Sequence, residues 1–223
     1  MKIKTILIAA TAALMSLTSF AQETKGKVSY DVYLSSDDPG ISAYADRMEG
    51  STLEIQFVDG KIRTDLYMGD MMTNTSVTHK DKDTTLVLLD GMMGKIAMKV
   101  TEDSMGEEER LAKEDMNVEL IDETKEIMGY ECKKAIITMQ DAEESVIWYT
   151  EDILPNFRGG QYLSDKIPGM PLEMYSKFGQ IDMKIVAYNF KSKVKKPNEV
   201  FSLEVPEGFT LRSPEEMKQM GGQ

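Results

Sequence analysis

The sequence predicts a mainly β protein, an antiparallel sheet carrying a few short helices. Apolar residues alternate with polar ones along most of the chain, the period-two pattern of half-buried strands. Asp59-Gly60 and Asp90-Gly91 each separate two such runs, as two-residue hairpin turns do. Helical spacing is confined to three short segments.

Residues 1–21, MKIKTILIAATAALMSLTSFA, have the form of an export signal. Lys2 and Lys4 precede an apolar stretch from Ile6 to Leu17, and Ser19 and Ala21 place small residues for cleavage after Ala21. The stretch is short for a membrane span, and no cysteine stands near the cut to carry a lipid anchor. The expectation is a soluble periplasmic or secreted protein, with residues 22–223 as a single domain and no transmembrane segment in the mature chain.

From there the elements follow in order. Val28, Tyr30 and Val32 share one face of a first strand. In DDPGISAYADRM, Asp38 is placed to cap and Pro39 to start a helix, with Ile41, Tyr44, Ala45 and Met48 as its apolar stripe. Leu53, Ile55 and Phe57 line the next strand, and Ile62, Leu66 and Met68 the return strand beyond Asp59-Gly60. Val77 leads to the polar tip HKDKD (79–83), the run Leu86 to Leu89 returns, and Ile96, Met98 and Val100 alternate again. SMGEEERLAKEDM carries a capping box, Ser104 to Glu107, and reads as a second helix. Further strands are expected over 118–121, 135–139, 146–149, 172–175, 181–190 and 200–205. SPEEMKQM repeats the capping box and closes the chain with a third helix.

Composition excludes several functions. Without residues 1–21 the chain holds 24 basic and 38 acidic residues, and so large an acidic excess suits neither nucleic acid nor anionic membrane surfaces. Cys132 is the only cysteine, so no internal disulfide forms and the fold must rest on its apolar core. A buried thiol is the expectation there.

The only histidine, His79, falls in the polar tip, where it reads as a surface residue and a poor base for a nucleophile. The acidic runs at 107–109, 143–144 and 151–152 read as solvated surface. Zinc and calcium motifs are absent, and no cofactor is implied. Methionine is abundant, at Met68, Met71, Met72, Met92, Met93 and Met98 among others. Thioethers select Cu(I), but these positions follow turns or line strand faces, where methionine serves as core or as the wall of an adaptable apolar pocket. The expectation is a binding protein and not an enzyme.

Several stretches resemble known families. GYECKKAIITM (129–139) followed by VIWYTEDILP (146–155) resembles paired strands of uncharacterised exported envelope proteins of Gram-negative bacteria. IPGMPLEM (167–174) resembles the signature of the GLPGLI family, with Pro168, Gly169, Met170, Pro171 and Leu172 in its place. FSLEVPEGFTLR (201–212) is similar to the closing strand of domains related to the lipoprotein carriers LolA and LolB.

The resemblance implies a half-open antiparallel β-barrel covered by short helices, with a cavity for an apolar ligand such as a lipid or lipoprotein acyl chain. Alternation and side-chain type assign Leu53, Ile55, Phe57, Leu66, Met68, Met98, Trp148, Ile181, Met183 and Ile185 to that cavity. Pro168, Gly169, Met170 and Pro171 form a rigid crossing that could serve as its lip. The alternative is an interaction or envelope-assembly module with a dry core and an envelope protein as its partner.

Overall fold

The computed structural model describes residues 22–92, 94–104, 116–138, 144–159 and 162–221. The segment read as a signal, and most of the helix expected from Ser104, lie outside the described residues.

Among these, twelve strands form one sheet. β1 (Gly26–Ser35), β2 (Thr52–Val58), β3 (Lys61–Met68), β4 (Met72–His79), β5 (Thr84–Gly91) and β6 (Gly94–Val100) make one meander. β7 (Asn117–Ile127), β8 (Tyr130–Thr138), β9 (Glu144–Thr150), β10 (Met170–Phe178) and β11 (Ile181–Lys191) make another. Pairing of β1 with β11 joins the two. β12 (Thr210–Arg212) adds to β6 in parallel, whereas the other pairs are antiparallel. The order runs from β12 to β7 without closing, so the protein is a half-open, mainly β structure with a few short helices, as the alternation predicts.

Turn chemistry explains the register. Asp59 and Gly60 both take positive φ (30° and 72°), so β2 and β3 meet in the mirror-image turn that matches strand twist. The Asp90-Gly91 turn is displaced from its expected place: Asp90 pairs with Lys95 and Gly91 with Gly94, so the hairpin closes two residues later. An Asp90–Lys95 ion pair at 3.0 Å spans that register. Met128 and Gly129, with φ of 55° and 81°, form a hairpin that alternation alone did not reveal; it lengthens β7 and β8 well beyond their expected spans.

Helix α1 (Pro39–Asp46) begins as expected, with Asp38 Oδ1 accepting from the N–H groups of Gly40 and Ile41 at 2.8 and 3.1 Å. The strand expected over 200–205 is replaced by a short helix, α2 (Pro197–Val200), and an unpaired run. Its alternation is nonetheless used, because Val200, Phe201, Leu203 and Val205 pack onto the sheet side-on instead of adding to its ladder. The final helix, α3 (Pro214–Gly221), carries the expected box: Ser213 N–H donates to Glu216 Oε2 at 2.8 Å and Glu216 N–H to Ser213 Oγ at 3.2 Å.

Two apolar clusters hold the sheet. On the face bearing Leu53, Ile55 and Phe57, hereafter inner, these residues join Val28, Tyr30, Ile147, Tyr149, Met174 and Ile185 in the larger core. The connection between β9 and β10 seals it with Ile153, Leu163 and Ile167. On the outer face, Val77, Leu86, Leu88 and Ala97 are covered by Phe201 and its neighbours in the C-terminal segment. Cys132 is fully buried, and burial pushes its thiol up to about 11. A shift of that size leaves roughly a hundredfold less thiolate than an unshifted cysteine has. The native protein should therefore resist iodoacetamide at pH 8 and react only once unfolded, which intact mass reads directly; rapid alkylation of the folded protein would contradict the packing around β8.

Candidate functional site

Where the β3–β4 and β5–β6 turns meet the end of α1, the inner face stops being packed. An apolar cavity of about 180 Å3 opens there, lined by Met48, Met68, Met71, Met72, Leu89, Gly91, Met92, Gly94 and Ile96. Register explains the convergence. Met68 stands opposite Met72, Met72 opposite Gly91, and Leu89 opposite Ile96, so all of these side chains share the inner face.

Met48, buried after α1, closes one side. It can approach because Gly69 takes φ of +52° in the β3–β4 turn, and a Cβ there would lie 2.8 Å from the Arg47 carbonyl oxygen. Met92 is 92 % exposed and marks the rim. None of the lining residues is titratable, so the wall offers dispersion contacts and thioether sulfurs only.

The residues selected from sequence are distributed differently. Leu53, Ile55, Phe57 and Ile185 are at most 1 % exposed and belong to the packed core. Leu66 and Met183 pack against its margin. Met68 lines the cavity, and Met98, opposite Val87, lies further along the same face. Ile181 is half-buried at the start of β11. Trp148 takes the opposite parity of β9 from Ile147 and Tyr149, and the ammonium groups of Lys125 and Lys134 stand 4.4 and 5.9 Å from its ring. Alternation places it inward; its pairing with Lys134 and Glu173 sets it beside charged partners, while part of the ring still packs against the margin of the larger core.

Pro168 to Pro171 belong to the body of the protein. β10 already begins at Met170, which pairs with Thr150, and Met170 and Pro171 are buried. A bulge between Pro171 and Glu173 accommodates the proline within the ladder. The Tyr30 hydroxyl, which burial pushes far above the ordinary phenol range, donates to the Pro171 carbonyl at 2.8 Å.

Met48, Met71, Met72, Leu89, Met92 and Ile96 were absent from the cavity residues selected by alternation. The signal that found Met71, Met72 and Met92 was the methionine content, not the strand pattern.

A second, polar cleft of about 320 Å3 lies on the outer face between the hairpin tip and the C-terminal segment, lined in part by Lys61, His79, Lys82, Asn198 and Glu204. It corrects the reading of His79 as a surface residue. His79 is 5 % exposed, and its Nε2–H donates to the Phe201 carbonyl at 2.6 Å. Beside it, Arg63 donates to both oxygens of buried Asp65 at 2.7 Å and to the Val200 carbonyl at 3.2 Å, and Thr75 Oγ1 donates to Asp65 Oδ1. These contacts fasten the C-terminal segment to the sheet, which is why a polar tip residue becomes buried.

The fold and cavity define a mainly β protein with an open sheet and an apolar recess in its wall. The chain belongs to the family described as N-glycanase peptide, N-terminal domain, whose model matches residues 70–205. That is a different family from the one Pro168–Leu172 resembles. A crystal structure of PNGF-II is similar over 88 % of this chain, with a TM-score of 0.55 at 16 % identity. The match covers 33 % of the PNGF-II chain, so the present chain spans about a third of that protein's length.

Weaker similarity extends to MucB in the Pseudomonas aeruginosa MucA/MucB complex, at 13 % identity over 80 % of this chain and 55 % of that one, with a TM-score of 0.40. A LolA superfamily protein of Nitrosomonas europaea matches at 10 % identity over 81 % of this chain and 90 % of its own, with a TM-score of 0.25. No curated protein sequence matches this chain.

Proposed function

We propose that this chain is an exported, non-catalytic binding module that holds an apolar group in the methionine-lined cavity. The observation that carries the reading is the cavity itself, an apolar space walled by side chains from β3, β4, β5, β6 and the end of α1. Its volume sets the ligand's size. An apolar cavity of about 150 Å3 takes up benzene, so the recess suits a ring-sized group or the tip of an acyl chain rather than a whole lipid tail.

Methionine supports this role by repacking around differently shaped guests. Export is supported by the form of residues 1–21, and among the described residues no helix is long and apolar enough to cross a membrane. A binding rather than hydrolytic role is supported by a recess with no titratable group in its wall.

The test is uptake of the fluorescent apolar probe N-phenyl-1-naphthylamine, followed by native mass spectrometry of protein taken from its own envelope. Saturable fluorescence is expected with the wild type. Leu89→Trp, which fills the recess from β5, should lose it while keeping the circular dichroism of the parent. Equal uptake by Leu89→Trp, or none by the wild type, would remove the cavity from consideration as the site.

A further inference from the structure

The recess could have been walled by leucine and isoleucine, yet five of its nine lining residues are methionine. With 18 methionines in 223 residues, a wall of that size drawn at random from the chain would hold about one. Methionine used as a gap-filler adapts to a local irregularity, which does not account for five of them, from several chain segments, around one space. We propose that this wall is a soft-metal site, which takes Cu(I) through the thioether sulfurs of a subset of Met48, Met68, Met71, Met72 and Met92.

Geometry brings the side chains together. Met68 and Met72 face each other across adjacent strands, a pairing that sets Cβ atoms about 4.5–5.5 Å apart. The Met71 N–H donates to the Met68 carbonyl at 3.1 Å, so the turn between them is tight. Met72 Cγ lies 3.3 Å from where a Cβ on Gly91 would stand, so the missing side chain at Gly91 leaves Met72 its place. Met92 follows at the rim, and Met48 comes in from the end of α1. Each thioether has three rotatable bonds with which to turn toward an ion in the common space.

Donor chemistry selects the ion. The wall holds no carboxylate, imidazole or thiol, so hard cations find no ligand in it. Thioethers are neutral, so the bound ion keeps its full charge in an apolar recess, and a monovalent ion is penalised less there than a divalent one. Softness and single charge together favour Cu(I) over Zn2+ or Cu2+. The acidic excess of the chain draws cations toward its surface.

This inference rests on the recess being open to a ligand, as proposed above, and the experiment separates the two. Wild-type protein is titrated anaerobically against the Cu(I)–bicinchoninate complex and weighed by native mass spectrometry, beside a Met68→Leu/Met71→Leu/Met72→Leu variant. Leucine keeps the volume and apolarity of the wall and removes three sulfurs. The expected result is one Cu(I) per wild-type chain, affinity at least about a hundredfold weaker in the variant, and unchanged uptake of the naphthylamine probe by both. Wild-type protein that takes no copper from bicinchoninate but binds the probe would overturn the thioether site alone. A variant that holds Cu(I) as tightly as the parent would overturn it too. Failure of both ligands would bring down the open recess with it.

Discussion

Replacing Asp65 with alanine should cost about 3 kcal/mol or more of stability, near the lower end of what removing one partner of a buried ion pair costs. The carboxylate is only 3 % exposed and accepts from Arg63 twice and from Thr75 once. Arg63 is 27 % exposed and retains some hydration, which is why the lower end is expected. Without Asp65 the guanidinium also loses the contact that aims it at the Val200 carbonyl, so the C-terminal segment should loosen with it. Urea denaturation measures the loss, and hydrogen exchange over 197–205 its spread. A loss below about 1 kcal/mol would show that the pair is no more than a surface contact.

Gly169→Val should be at least as damaging, for a steric reason. A Cβ at this position would sit 2.2 Å from the Thr150 carbonyl oxygen and 2.7 Å from its carbon, both backbone atoms in β9. The strands would have to part where β10 begins, and forced overpacking against immovable backbone exceeds the usual penalty of about 1–3 kcal/mol. Failure to fold, or a Tm lowered by roughly 10 °C or more, is expected.

Tyr30→Phe probes the same region more gently. It leaves the buried Pro171 carbonyl without its donor, a loss of about 1–3 kcal/mol. If Gly169→Val melts with the parent, the close approach of 169 to β9 is not what holds the start of β10.

These two sites show different degrees of legibility in the sequence. The Ile-Pro-Gly-Met-Pro stretch announces a rigid break, since proline cannot donate to a ladder and biases the residue before it toward extended geometry. Its burial and its glycine contact are invisible there, because they depend on Thr150, a residue from the preceding strand. Asp65 and Thr75 look like exposed positions by alternation; they are buried together under an Arg63 guanidinium that also donates to the carbonyl of Val200, more than a hundred residues away. His79 is misread because its partner, the Phe201 carbonyl, is equally distant in the chain.

What the sequence determined by itself is what local chemistry governs. Alternation and turn residues specified most strands and the Asp59-Gly60 hairpin, Asp38 and the Ser213–Glu216 box specified helix starts, and the single cysteine left stability to an apolar core. Only the tertiary structure decided which apolar positions pack and which border empty space. Leu53 and Met68 carry the same alternating signal, but Leu53 is enclosed by residues from both meanders, whereas Met68 lies where the sheet meets two turns and a short helix. Alternation records which face a side chain takes. Whether that face is filled depends on distant segments that arrive there, and their arrival is a property of the whole chain.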